Sequence, residues 1–439
     1  MRTYYSLYGQ LLSKRALYEG FKHVKQAKAA AGIDRQSLSA FEVNLDGQLA
    51  SLLLELQEQR YQPSPVKRVI IPKDGGGERA LGIPTVRDRI VQPTLRHLLE
   101  PLFEVDFHPS SYGYRKGRSA QHAIGQAAAF IRRYQRQGVV DMDLSKGFDT
   151  LDHEIIIQQL RRKITDSSVL QLVRLFLESG VMMGHKYEAS TTGSPQGGVI
   201  SPWIANIYLD QFDQMMKERG HRIVRYADDI LILCGSESAA QNARPVATSY
   251  FEGPLKLMIN VEKTHIAHSA DGVKFLGVVI YTGYTKIQAK KLPAVKAKVR
   301  WITRRNTGQN VAAVTGELNP VLRGLVNCFR VANCQRERKS LMGWIRRRLR
   351  CIQLKQWKKP AQRHRRLKQL GYQPPFKSIK MMSWRSALSP LSNVAMQNSW
   401  WHEEMKLVDM APKQVGVTVL NIWDSWLHEP YTRPVRTVL

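Results

Sequence analysis

Two adjacent carboxylates, Asp228 and Asp229, sit between short apolar runs in Arg225-Tyr226-Ala227-Asp228-Asp229-Ile230-Leu231-Ile232-Leu233. Side chains alternate along a strand, so neighbouring aspartates normally point to opposite faces; at a hairpin turn they can converge. Converging carboxylates suit Mg²⁺, a hard ion that takes oxygen ligands and retains waters and substrate phosphates. Two such ions about 4 Å apart activate an attacking hydroxyl and stabilise a leaving oxygen in phosphoryl transfer, which requires a carboxylate from another segment. Asp143 is the natural partner, because it follows the apolar Gly138-Val139-Val140-Asp141-Met142 and precedes the turn-like Ser145-Lys146-Gly147-Phe148-Asp149-Thr150. Asp141 and Asp149 compete for the role, and position alone does not choose. Taken alone, Asp-Asp is equally an ordinary polar turn, since Asp bonds readily to its own backbone. The surroundings decide.

The elements that must position these groups are legible in outline. Ile223-Val224 and Ile230–Leu233 read as two buried strands, Gly138–Leu144 as a third, and Val273–Ile280 as another. Residues 1–60 read as mostly helical, with Leu49, Leu52, Leu53 and Leu56 forming a one-sided stripe that ends at Pro63-Ser64-Pro65. Lys67–Pro84 reads as a β-hairpin with the glycine-rich tip Gly75-Gly76-Gly77. Such a hairpin, with a Lys on one limb and an Arg on the other, can close over a phosphate chain; it is as readily a plain surface hairpin. Helical patterns fill residues 120–190 around the third strand, and no internal repeat or long flexible linker divides the chain.

With 439 residues the chain has room for two or three domains. Its 66 Lys+Arg against 36 Asp+Glu, net +30, point to a polyanionic partner, nucleic acid ahead of an anionic membrane surface. No apolar segment approaches the roughly 20 residues of a spanning helix, and the first residues lack a signal-peptide core, so a soluble intracellular protein is expected. Cys234, Cys328, Cys334 and Cys351 form no Cys-x-x-Cys pair and are expected to be idle thiols. Basic charge concentrates between Lys286 and Lys368, with 24 Lys/Arg against two acids, Glu317 and Glu337. Within it, Trp344, Ile345, Leu349, Ile352, Leu354 and Trp357 recur at near-helical spacing with arginines between. Soluble surfaces normally mix signs, so this module is expected to contact nucleic acid.

In order and content these segments resemble the reverse transcriptases encoded by bacterial group II introns, over nearly the whole chain to about residue 400. Val140–Asp149 resembles the family's first catalytic motif, which implies Asp143 as the metal-binding aspartate and Phe148 as the residue that would clash with a ribose 2′-OH. Gly193-Ser194-Pro195-Gln196-Gly197-Gly198 through Pro202 resembles the nucleotide and template loop, with Gln196 contacting dNTP. Tyr226-Ala227-Asp228-Asp229 supplies the other two carboxylates, and Lys73 and Arg79 are implied to contact the triphosphate. Ser111–Ser119 resembles the fingers segment, and Asn260–Thr264 the motif whose Lys263 would give a proton to pyrophosphate. Phe275-Leu276-Gly277 looks like the primer-gripping turn, and Gly32-Ile33-Asp34 falls where the family has its N-terminal extension.

The basic module is similar to the family's thumb and maturase region, which implies nucleic-acid contacts by Arg304, Arg305, Arg346, Arg347, Arg348 and Arg350, beside those of Tyr226 and Gly277. It departs from the family at Leu325, where Trp commonly follows Arg-Gly, which weakens the expectation of splicing activity. No paired-cysteine endonuclease motif follows it, so the resemblance is to the endonuclease-lacking type; residues 401–439 match nothing and are read as a short DNA-binding or docking tail. The implied fold is α+β, a right-hand polymerase. Residues 1–60 would form a helical extension, 61–130 fingers, 131–285 a palm with an antiparallel sheet, and 286–400 a helical thumb/maturase module. The implied function is RNA-directed DNA synthesis from dNTPs with two Mg²⁺ ions, Mn²⁺ as substitute. RNA template, DNA primer, group II intron RNA and target DNA would be partners, without a membrane, in a bacterial cytoplasm or on the nucleoid when bound to DNA. Two alternatives keep the same palm: a freestanding relative recruited for DNA repair or defence, and a protein that is mainly an RNA-binding splicing cofactor.

Overall fold

The computed structural model describes residues 3–27, 30–72, 78–145, 147–184, 186–194, 197–304, 306–357, 360–375 and 396–410. The chain divides into two compact units, Met1–Asp271 and Gly272–Leu439.

The first unit opens with four helices, α1 (Tyr8–Leu11), α2 (Lys14–Ala27), α3 (Leu38–Val43) and α4 (Leu45–Gln57). The α4 stripe behaves as its spacing predicts, with Leu49, Leu52 and Leu56 buried. This N-terminal region is clipped to the rest by the backbone amides of Leu7 and Tyr8, which donate to Asp166 Oδ2 at 2.7 and 2.8 Å. Next comes the expected hairpin, β1 (Val66–Pro72) and β2 (Glu78–Ile83), antiparallel with Ile71 opposite Arg79. Helices α5 (Val86–Glu104) and α6 (Ala120–Arg132) lead to β3 (Gly138–Asp143). Two more helices, α7 (His153–Arg161) and α8 (Ser167–Glu178), precede the short strands β4 (Val181–Met183) and β5 (Lys186–Glu188), which complete a sheet ordered β2-β1-β4-β5.

The central sheet takes β3 and adds β6 (Arg222–Tyr226), β7 (Asp229–Cys234) and β8 (His265–His268) in the order β6-β7-β3-β8, antiparallel throughout. Helices α9 (Ser201–Glu218) and α10 (Glu237–Glu252) join α6 in packing on it. Covered this way, β7 buries every residue from Ile230 to Cys234, which explains its unbroken apolar run.

The second unit begins with a three-stranded meander, β9 (Val273–Phe275), β10 (Val278–Ile280) and β11 (Thr285–Ile287). The strand expected over Val273–Ile280 is therefore two strands, broken by a two-residue turn in which Leu276 and Gly277 both have positive φ, 45° and 85°, as tight hairpins require. It also groups with the helices that follow it, in the unit that begins at Gly272. Helices α11 (Lys291–Ile302), α12 (Val311–Cys328), α13 (Gln335–Gln356) and α14 (Pro360–Gln369) follow. Residues 396–410 pack against this unit's helices. Trp400, Trp401, Leu407 and Met410 are buried, and Asn319 of α12 both donates to Lys406 O at 2.8 Å and accepts from Val408 N at 2.9 Å. Cys234, Cys328, Cys334 and Cys351 are all free thiols. Among the described residues no helix is long and apolar enough to cross a membrane.

Candidate active site

Strand register does what adjacency in sequence cannot. Asp143, the last residue of β3, pairs directly with Asp229, the first of β7. Opposed residues of an antiparallel pair share a face, and like charges placed there are destabilising unless something neutralises them. Asp228 occupies the two-residue turn between β6 and β7, and its Cβ lies 4.0 Å from where a side chain on Gly147 would begin, so it overhangs the turn that follows Asp143. Asp141 lies two residues upstream on β3, on the same face. Asp229 is exposed on its outer side, yet burial beneath it and then the charges of Asp228, Asp143 and Asp141 push its carboxyl up to about 7. Lys263 answers part of that charge: its Nζ lies 2.7 Å from Asp143 Oδ2, and that bond raises the lysine's own pKa.

These hard oxygen donors fit divalent cations. No three His, Cys, Asp or Glu side chains among the described residues are yet drawn into a finished metal cage. Asp143 Oδ2 accepts from Lys263 Nζ and, at 3.3 Å, from Asn260 Nδ2.

The turn carrying Asp228 is built on strain that the surroundings hold in place. Ala227 has a φ of 59°, uncommon for a residue with a Cβ. Beneath it lies Arg225, fully buried. Its guanidinium forks onto Asp213 of α9, with Nε to Oδ1 at 2.9 Å and NH2 to Oδ2 at 2.6 Å, while NH1 donates to Asn206 Oδ1 at 2.9 Å and Ala227 O at 3.2 Å. From the other side Gly113 presses on the same turn, where any Cβ would stand 2.4 Å from Ala227 N. Sequence reasoning assigned no role to Arg225, Asp213, Asn206 or Gly113. A signal existed: Asn206 and Asp213 lie two helical turns apart, on one face of α9, and Arg225 interrupts a buried strand.

The nucleotide side is built from loops. Phe148 accepts a hydrogen bond from Ser194 N at 2.8 Å through its carbonyl, and its ring meets that of Tyr114. Gly193, at φ 84°, lies so close to Asp149 that a Cβ would stand 2.5 Å from its carbonyl oxygen. Asp149 is thereby part of the loop contact, whereas Asp143 faces Asp229. Lys73, Gln196 and Arg305 lie outside the described residues, as does the side chain of Arg79.

Two models of known families match: reverse transcriptase (RNA-dependent DNA polymerase) over residues 71–280, and the group II intron maturase-specific domain over residues 292–371. Protein YkfC of Escherichia coli is 35% identical over 283 residues, which cover 56% of this chain and 74% of that protein. The chain belongs to the group II intron reverse transcriptase/maturase family. The group II intron-encoded protein LtrA of Lactococcus lactis is 27% identical over 339 residues, 62% of this chain and 56% of LtrA, so the chain spans little more than half of that relative. Among solved structures, telomerase from Candida albicans in complex with a fragment of telomeric RNA aligns at 13% identity and a TM-score of 0.42, over 67% of this chain and 61% of that one.

In the maturase-specific region the structure separates arginines that the sequence grouped. Arg348 is buried, its Nε donating to Thr303 Oγ1 at 2.5 Å and its NH2 to Thr303 O at 3.1 Å. Arg350 is buried as well, bonded to Met396 O at 2.9 Å and Asn398 Oδ1 at 2.9 Å, and burial lowers its pKa to about 10. Both bind the module to itself, on roughly opposite sides of α13, Arg348 toward Thr303 and Arg350 toward residues 396–398, and their burial counts against the nucleic-acid contacts expected of them. Arg346 is half-buried, with NH1 3.2 Å from His402 Nε2, and Arg347 is also half-buried. Arg304 is exposed and lies over the Trp301 ring at 5.5 Å, with Lys298 4.8 Å from the same ring. That ring is 55% exposed, which makes the outer face of α11 an aromatic platform set between cations. Gly277 forms the β9–β10 turn, and Tyr226 opens the β6–β7 turn opposite Asp229.

Proposed function

We propose that this chain extends a DNA primer on an RNA template from dNTPs, and that its helical module binds group II intron RNA as a splicing cofactor. The observation that carries the first part is the register of Asp143 against Asp229 with Asp228 in the adjoining turn. Three carboxylates from two segments, two of them opposed in register and the third in the adjoining turn, form a site that favours cations. Two Mg²⁺ ions, or Mn²⁺ in their place, held by Asp143, Asp228 and Asp229 would activate the primer 3′-hydroxyl and stabilise the leaving oxygen. The chain's own groups do the rest. The 3′-oxygen bonds to the α-phosphorus as the bond to the bridging oxygen breaks, and Lys263, kept protonated beside Asp143, is placed to give a proton to the departing pyrophosphate. Lys73, Arg79 and Gln196 would hold the triphosphate and base, and Phe148 would reject a ribose 2′-OH. With DNA as a substrate, the location that fits this reading is a bacterial cytoplasm, on the nucleoid when bound to DNA.

An Asp228→Asn protein should bind RNA as the parent does and fail to extend a primer; extension at the parental rate overturns the assignment. The second reading, a protein whose main work is folding intron RNA, is favoured by the Trp301 platform between Lys298 and Arg304, which serves RNA binding without polymerisation. Splicing assayed with Asp228→Asn separates the two, since retained splicing with lost extension marks a bifunctional protein.

A further inference from the structure

Tyr114 combines three properties that ordinary packing does not explain. Its φ is 59°, in the left-handed region that bulky residues rarely enter. Its side chain is 45% exposed, so burial contributes little to offset that conformation. Its ring meets the Phe148 ring edge-on, with centroids 6.2 Å apart and planes at 80°, the arrangement that aromatic quadrupoles favour.

The strained backbone is fixed from every side. Tyr112 N donates to Arg225 O at 2.9 Å, Asn206 Nδ2 donates to Gly113 O at 2.8 Å, and Arg96 NH2 donates to Tyr114 O at 3.2 Å. Gly113 lies flat against the Ala227 backbone. Strain held this firmly at an active site points to function, because the surroundings over-determine a conformation the chain would otherwise leave. The same contacts tie Tyr114 to the turn that carries Asp228, so its ring has a fixed position relative to the carboxylates. Phe148 lies on the other side of that pairing. Its carbonyl is held by Ser194 N, which restrains its backbone and leaves the ring to be placed by its neighbours.

We propose that Tyr114 is a specificity-determining positioning residue: its ring edge holds Phe148 in the pose that meets the sugar of the incoming nucleotide, so discrimination between dNTPs and rNTPs depends on both aromatics. The proposal rests on the reading of Phe148 as the residue that rejects a 2′-OH. A steric filter works only if the blocking ring cannot swing aside, and Phe148, only partly buried against the core, gains a further restraint from the ring of Tyr114. The role proposed here belongs to the ring, which Tyr114→Phe retains.

The test compares kcat/KM for a dNTP and the matching rNTP in primer extension by the full chain carrying Phe148→Ala, Tyr114→Ala, Tyr114→Leu, Tyr114→Phe, or both alanines. Tyr114→Ala and Tyr114→Leu should each lower the dNTP/rNTP ratio, roughly 2- to 10-fold for loss of one aromatic edge contact. The change should appear chiefly as a lower KM for the rNTP. Tyr114→Phe should keep the parental ratio, and the double alanine variant should match Phe148→Ala alone. A merely structural role would lower kcat for both nucleotides together and leave the ratio unmoved, and that result overturns the proposal. So does a Tyr114→Phe protein that loses as much selectivity as Tyr114→Ala, or a double variant whose losses multiply. Phe148→Ala separates the levels: if it changes the ratio and both Tyr114→Ala and Tyr114→Leu do not, the positioning role alone fails. If Phe148→Ala leaves the ratio unchanged, the filter reading fails and the proposal with it.

Discussion

The pair Arg225–Asp213 offers the sharpest test of how the catalytic turn is held, because its two functions can be separated. Both side chains are 0% exposed, and the guanidinium spends Nε and NH2 on Asp213 and NH1 on Asn206 and Ala227 O. Arg225→Met leaves the Asp213 carboxylate buried without its partner, which costs about 3–5 kcal/mol. For a unit of this size each kcal/mol lowers the melting temperature by roughly 2–4 °C, so a drop of about 6–20 °C is expected. Replacing both residues, as in Asp213→Leu with Arg225→Met, removes the orphaned charge and should recover most of that loss, since apolar replacements of buried pairs are often neutral or better. It cannot restore the donor to Ala227 O, whose loss costs about 1–3 kcal/mol where the carbonyl is buried. The turn at φ 59° then relaxes and takes Asp228 with it. Stability should therefore return in the double variant while primer extension stays at least about tenfold below the parent, about 1.4 kcal/mol of barrier. Thermal melting and single-nucleotide extension read the two quantities. Parental stability in Arg225→Met refutes the buried-pair argument, and parental extension in the double variant refutes the claim that Ala227 is held from below.

Gly113→Ala should reduce extension sharply, because the added Cβ stands 2.4 Å from Ala227 N and neither backbone can yield without moving the turn; kcat equal to the parent's refutes the close approach. His108 is fully buried, and burial holds its pKa down to about 4, below the usual 6.5. The unfolded chain takes up that proton first as pH falls, so the stability tied to neutral His108 is complete above about 6.5 and lost toward pH 4, roughly 3 kcal/mol in all. Asp210, whose carboxyl burial raises to about 6, runs the opposite way, so the measurement is a melting curve against pH for His108→Asn beside the parent. The variant's acid-side slope should be flatter, and an unchanged slope discards the linkage. In the helical unit, Arg348→Met and Arg350→Met should lower melting temperature and leave the salt dependence of RNA affinity unchanged. Arg304→Ala and Lys298→Ala should instead reduce the slope of log affinity against log salt by about 0.7–0.9 per lost phosphate contact. Reversal of that pattern would return the buried arginines to the interface.

Chemistry-bearing residues were legible in the chain to the extent that local pattern controls them. Apolar runs marked β3, β6 and β7 because a strand covered on both faces has no polar alternation to blur it. The Lys286–Lys368 charge excess marked a separate module, and the family motifs around Asp143 and Asp228 named the carboxylates. Boundaries were less legible. Val273–Ile280 read as one strand because nothing in its apolar pattern reports that Leu276-Gly277 turns, and residues 401–410 read as part of a tail because their partners on α12 and α13 lie far off in sequence.

What the sequence determined by itself was which residue types were present for phosphoryl transfer, and on which elements. The tertiary structure decided which of them meet. Asp143 and not Asp149 faces Asp229 because strand register, a long-range pairing, selects it. Arg348 and Arg350 are buried although their neighbours on α13 look alike in sequence, since Thr303 covers one side of the helix and residues 396–398 another. Arg225, a charge in an apolar strand, becomes intelligible once Asp213, twelve residues away and on another element, is seen beneath the same turn. Composition and periodicity report what a residue can do; partners distant in sequence, brought together by packing and register, determine what it does.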